Sequence, residues 1–150
     1  MSSEILFGHP FGTKITAEEI VESLSFFDDW EDRYRYIIDL GKQLPEFPDA
    51  LRCEELLVRG CQSQVWLITR PEGGSGKIQL AVDSDALVVR GLAAIVLAAY
   101  HNKPASELLA FDIEGYFSSI DLLKHLSPTR GNGVRAMVKK IRSAAEQIGR

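Results

Sequence analysis

Cysteine is scarce in this chain, with only two among 150 residues, Cys53 and Cys61, so a disulfide scaffold is excluded. The three histidines, His9, His101 and His125, are scattered without a His-x-x-x-His pair, and no metal-ligand spacing of zinc or di-iron type is present. Long apolar runs are missing too. The longest, Gly91 to Tyr100, falls well short of the roughly 20 residues that a membrane-spanning helix needs. The start, Met1 to Pro10, has neither a basic opening nor an apolar stretch of signal-peptide length. No Gly-x-Ser-x-Gly elbow occurs, and no carboxylate pair is spaced for general acid–base work. Gly73-Gly-Ser-Gly76-Lys77 imitates a phosphate loop, but Pro71 stands where the first glycine is required. Ile78 replaces the Ser or Thr that would bind magnesium. The expectation is a cytoplasmic protein without a membrane anchor.

What is present is average for a globular protein, with 45% hydrophobic and 25% charged residues. At 16.7 kDa the length suits a single domain over residues 1–150, since no repeat or linker interrupts it. The net charge of −4 argues against a direct nucleic-acid binder. The charge is uneven, however, because residues 130–150 hold six basic side chains against Glu146 alone. This reads as a solvated helix face, with Arg135, Lys139 and Arg142 outward.

The first fifteen residues lack periodicity and carry Gly8-His9-Pro10 and Gly12, which predicts a partly ordered N-terminal arm. Thr16-Ala-Glu-Glu19 is a capping box that should open a short helix to about Ser25. Asp28 or Asp29 is suited to cap a second helix, with Trp30, Tyr34, Ile37 and Ile38 on one apolar stripe and Gly41 as its left-handed terminus. Leu57-Val58, Val65 to Thr69, and Ile78 to Val82 read as three antiparallel strands, the last two joined by the Gly-rich turn. Asp83-Ser84-Asp85 offers caps for a helix from Ala86 to Tyr100, apolar almost all round and therefore buried. Pro104 to His125 reads as short helical pieces, and Ser127-Pro128 opens a last helix with Val134, Met137, Val138, Ile141 and Ile148 along one side. Strands followed by helices give an α+β fold, with a small three-stranded antiparallel sheet packed against helices.

The two cysteines differ in setting. Cys53 precedes a predicted strand without special neighbours and reads as an ordinary thiol. Cys61 lies in Arg59-Gly60-Cys61-Gln62-Ser63-Gln64-Val65-Trp66, between two strands, with a glycine that permits a sharp turn and uncharged polar residues after it. The residues alone leave Cys61 open between a structural thiol and one presented to a partner.

The stretch Gly60 to Trp66 resembles the signature of the SufE/CsdE-type sulfur-acceptor proteins, partners of cysteine desulfurases. Trp30 to Gly41 with Leu44-Pro45, Asp83 to Gly91, and His125 to Arg130 with Gly133 agree with it in order. Gly8-His-Pro-Phe-Gly-Thr13 is similar to the CsdE branch, whereas Gln62-Ser63-Gln64 is closer to the SufE branch. The resemblance implies a fold similar to iron–sulfur scaffold proteins, although this chain lacks the three cysteines a scaffold uses. It further implies that Cys61 accepts persulfide sulfur and that the chain stimulates the desulfurase. The sulfur would pass to an iron–sulfur scaffold or a tRNA-modification protein. On that reading the chain is a covalent carrier rather than an enzyme. It holds no cofactor, the pyridoxal phosphate belonging to the desulfurase. Two other classes are a thiol-dependent enzyme pairing Cys61 with His125 or His101, and a non-catalytic allosteric activator.

Overall fold

The computed structural model describes residues 3–61 and 63–149. Its elements are α1 (Ala17–Ser25), α2 (Trp30–Gly41), β1 (Val65–Pro71), β2 (Lys77–Ser84), α3 (Leu87–Tyr100), β3 (Lys103–Pro104), α4 (Ala105–Ala110), α5 (Ile113–Ser119) and α6 (Pro128–Ile148), with short 3-10 turns between them. The sheet is antiparallel in the order β1-β2-β3, and the fold is α+β.

The helix starts follow local chemistry. Thr16 Oγ1 accepts from Glu19 N–H at 3.2 Å, Asp29 Oδ1 from Asp32 N–H at 2.9 Å, and Ser127 Oγ from Arg130 N–H at 3.2 Å, with Pro128 opening α6. Gly74 and Gly76 take positive φ in the β1–β2 turn, as a glycine-rich hairpin requires. Helix α3 has twelve of its fourteen residues buried and lies between the sheet and the other helices. Val65, Leu67, Ile78, Leu80 and Val82 face it.

Four expectations need correction. Leu57-Val58 is no strand of the sheet but a single bridge opposite Trp66, closed by Val58 N–H to Val65 C=O at 2.8 Å. The third strand is Lys103–Pro104, at the start of the stretch from Pro104 expected to be helical, and it pairs with Lys77 and Ile78. Gly41 does not end α2 in a left-handed turn; Lys42 caps it in the right-handed helical region. Gly41 is instead a crossing point: a Cβ there would stand 2.6 Å from Gly91 N, and one on Gly91 would overlap the Ile37 carbonyl. The pair of glycines lets α2 and α3 touch backbone to backbone. Finally, Asp83 and Asp85 do not cap α3, whose N-cap position is Ala86 with no side-chain cap bond.

The N-terminal segment, expected as a partly ordered arm, packs closely from Leu6 onward. Leu6 and Phe7 form a second apolar cluster with Phe47, Trp66 and Ala81 on the sheet face away from α3. The run Val65-Trp66-Leu67 is buried at every position, so both faces of the sheet need covering. Phe11 is fully buried in the main core. His9 Nε2 lies 2.8 Å from Leu80 C=O, and His101 Nδ1 accepts from Leu80 N–H at 3.0 Å. Two imidazoles thus take the hydrogen bonds that a longer β3 would have made.

Candidate functional site

The loop bearing Cys61 is fixed at both ends by hydrogen bonds. Val58 and Val65 close its base. At its exit the Gln64 backbone is held three times: Ser84 Oγ donates to its C=O at 2.7 Å, Asp85 N–H to the same oxygen at 3.3 Å, and its own N–H donates to Asp85 Oδ1 at 3.1 Å. Gly60, at φ +93°, turns the chain where an L side chain would be strained. Cys61 itself makes one weak contact, Sγ to Gly133 C=O at 3.5 Å. A backbone hydrogen bond is worth about 1 kcal/mol net, so these bonds fix the exit stem. Of the polar loop residues named above, Gln62 lies outside the described residues.

The half-buried Cys61 thiol sits at a cleft of about 350 Å³ between its loop, α3 and the start of α6. Val89, Leu92, Val134 and Met137 form the apolar wall, and Ser63, Ser127, Thr129 and Arg130 the polar part. A side chain at Gly133 would put its Cβ 3.4 Å from Sγ, so glycine there leaves the thiol its seat. The opening of α6 is located by stacking of Trp30 on His125, with ring centroids 4.0 Å apart, and by Tyr34 Oη donating to His125 C=O at 3.0 Å. Trp30 and Tyr34 are half-buried, and Ile37 on the same stripe is fully buried.

Burial pushes the Cys61 thiol pKa up. At rest the group is therefore a protonated thiol, a poor nucleophile. Arg130 and the start of α6 border the same cleft. Desolvation prevails in the resting state. Movement of the tip toward water would relieve it without disturbing the stem.

The histidines do not join this site. His101 is buried beside His9, ring centroids 4.2 Å apart, and burial followed by repulsion from His9 lowers its pKa to about 3. His125 is occupied by Trp30, and neither it nor His101 lines the cleft. Cys53 and Cys61 are both free thiols, and Cys53 does not line the cleft either. Among the described residues no cluster of three or more His, Cys, Asp or Glu could hold a metal ion. Within the same residues no helix is long and apolar enough to cross a membrane.

The comparisons with known proteins bear on this geometry. The family model described as "SufE: Fe-S metabolism associated domain" matches residues 18–145. The chain belongs to the SufE family. It is 51% identical over 131 residues to an uncharacterized SufE-like protein of Rhizobium etli, covering 86% of this chain and 88% of that one. Another uncharacterized SufE-like protein, of Rhizobium meliloti, is 48% identical over 131 residues, 86% of this chain and 94% of the relative. A solution structure of a hypothetical protein from Thermus thermophilus shares the fold, with a TM-score of 0.71, 18% identity, and coverage of 89% of this chain and 96% of that one. The family association with iron–sulfur metabolism and a sulfur-acceptor role applies to this SufE-family chain at that level.

Several residues around the thiol were not assigned to it from sequence. Arg130 and Gly133 fell in the basic, helical C-terminal stretch, and Asp85 was taken for a cap. Their only signal in the sequence is the resemblance, whose matching segments contain Arg130, Gly133 and Asp85. The basic stretch is itself divided in use. Arg135 is exposed and pairs with Glu114 at 3.0 Å, Lys139 is exposed, but Arg142 is half-buried and donates to Leu109 C=O at 3.2 Å, against the expectation of an outward side chain.

Proposed function

We propose that this SufE-family chain is a sulfur carrier that accepts persulfide sulfur on Cys61 from a pyridoxal-phosphate cysteine desulfurase, stimulating that enzyme by clearing its product. The observation that supports this most is the seat of Cys61: a half-buried thiol at a cleft, its Sγ against Gly133 C=O, on a loop whose stem is held by hydrogen bonds. In the transfer, the Cys61 thiolate attacks the terminal sulfur of the donor's cysteine persulfide. The donor's sulfur–sulfur bond breaks, its cysteine leaves as a thiolate, and the new sulfur–sulfur bond is on Cys61. No external oxidant or reductant is consumed, and the proton lost by Cys61 balances the one available to the leaving thiolate. The apolar wall of Val89, Leu92, Val134 and Met137 then shields the carried sulfur from stray thiols.

The sulfur goes on to iron–sulfur cluster assembly, through a scaffold protein, or to a tRNA-modification protein. The chain needs no cofactor of its own for this step, because the chemistry that frees sulfur from cysteine belongs to the desulfurase. The test is to mix the chain with a desulfurase and cysteine and to weigh it intact. A gain of one sulfur atom that Cys61→Ser abolishes and Cys53→Ser leaves unchanged is the expected result. No gain, or gain on Cys53, would contradict the reading.

A further inference from the structure

The resting position of Cys61 is set partly from the far end of the α6 face on which its loop lies. Residues 133, 136 and 140 share one face of α6. The chain leading to Cys61 runs along that face in the opposite direction. Cys61 Sγ touches Gly133, Gly60 sits where its Cβ would stand 3.4 Å from Ala136 Cβ, and Leu57 lies beside Lys140. Glycine and alanine let the loop descend onto the helix, and Lys140 holds down its near end by donating from Nζ to Leu57 C=O at 3.0 Å. That carbonyl is available because the bridge to β1 uses Val58 N–H and Val65 C=O instead.

We propose that Lys140 is a positioning residue for Cys61, clamping the entry stem of the loop to α6 so that the thiol rests against Gly133 until a partner docks. This deepens the carrier reading, which it presumes for its role in transfer. The clamp has a cost that marks it as more than a surface contact. Partial burial, and then the neighbouring Arg59, push the Lys140 ammonium below the ordinary lysine range. The exit stem is held by Asp85 and Ser84. On the entry side Lys140 adds to the Val58–Val65 bond a second restraint, supplied by a helix instead of by the adjacent strand end.

Alkylation of Cys61 by iodoacetamide, followed by peptide mass spectrometry on the full chain carrying Cys53→Ser, reads the resting position directly and needs no desulfurase. Lys140→Met should raise the rate by about fivefold to tenfold, the scale of one hydrogen bond of ordinary net strength. Lys140→Arg, which keeps a cationic donor, should return it most of the way. Amide exchange should quicken at residues 58–64 and stay unchanged in the middle of α6. An unchanged alkylation rate in Lys140→Met, or a gain matched by equal loss of protection throughout α6, would overturn the proposal. With a desulfurase present, the half-saturating concentration should fall by the same factor as alkylation rises while the maximal rate holds, since release no longer taxes binding. A maximal rate that fell with half-saturation unchanged would also overturn it. If no desulfurase transfers sulfur to Cys61 yet Lys140→Met still quickens alkylation, the carrier reading fails and the clamp stands.

Discussion

Asp83 and Asp85 stand two residues apart at the end of one strand and do opposite work. Asp83 has a side chain 0% exposed and is surrounded by donors: Phe47 N–H at 2.9 Å, Ser84 N–H at 2.8 Å, and the guanidinium groups of Arg52 and Arg90 at 3.0 and 3.4 Å. Arg90 in turn donates to Leu44 C=O, so this one carboxylate ties the end of the sheet to α3 and to the segment after α2. Asp85 is exposed and bonds to the Gln64 backbone. The first locks the body; the second moors a loop. On the proposed reading both are needed, because carried sulfur can be handed over only if the loop moves and the body that seats it does not.

The comparison can be broken from the body side first. Asp83→Ala removes the acceptor of two guanidinium groups and of two buried N–H groups, and should cost about 3–5 kcal/mol of stability in a denaturant titration. Its effect on Cys61 alkylation should appear only as global unfolding does. A stable Asp83→Ala protein with a selectively exposed Cys61 would erase the distinction drawn above.

Acid should come next, and it too should act on the body. His101 titrates near 3 in the folded chain against 6.5 when unfolded, and His9 is lowered as well by burial. Between those two values the unfolded chain binds protons that the folded chain refuses, so stability is full above about pH 6.5 and falls as the pH drops toward 3. Thermal melts from about pH 7 down to about pH 4 should show a falling midpoint, with a shallower fall in His101→Gln. A midpoint independent of pH over that range would contradict the buried neutral pair.

Asp85→Ala should have the smallest effect on stability, about 0.5–1.5 kcal/mol for one exposed hydrogen bond. Its mark should be on the loop: faster exchange of the Gln64 amide and several-fold faster alkylation of Cys61. Equal stability losses in Asp83→Ala and Asp85→Ala would show that the loop is part of the body after all.

The sequence made local features legible and long-range ones less so. Thr16, Asp29 and Ser127 could be read as caps because their partners lie three residues on. The long apolar stretch of α3 announced its burial by composition. By contrast, Lys103–Pro104 is a strand only because β2 passes beside it, and nothing within those two residues signals that. Asp83 and Asp85 had the residue type and position of caps, and their true partners, Arg52, Arg90 and Gln64, come from elsewhere in the chain. Gly41 suggested a terminus, whereas its purpose lies in the backbone of Gly91. At the candidate site, Cys61 stood out through its neighbours in sequence. The surface it rests on, Gly133 with Arg130 beside it, became visible only once α6 was folded back over the loop.

On the proposed reading Cys61 is a sheltered thiol whose loop is released by docking. The most direct test is the rate of Cys61 alkylation in the free chain and in the presence of a cysteine desulfurase. The thiol should label slowly when free, as its burial and raised pKa require, and markedly faster when the desulfurase is bound under conditions that leave its own cysteine blocked. Fast labelling of the free chain, unchanged by the partner, would contradict the claim.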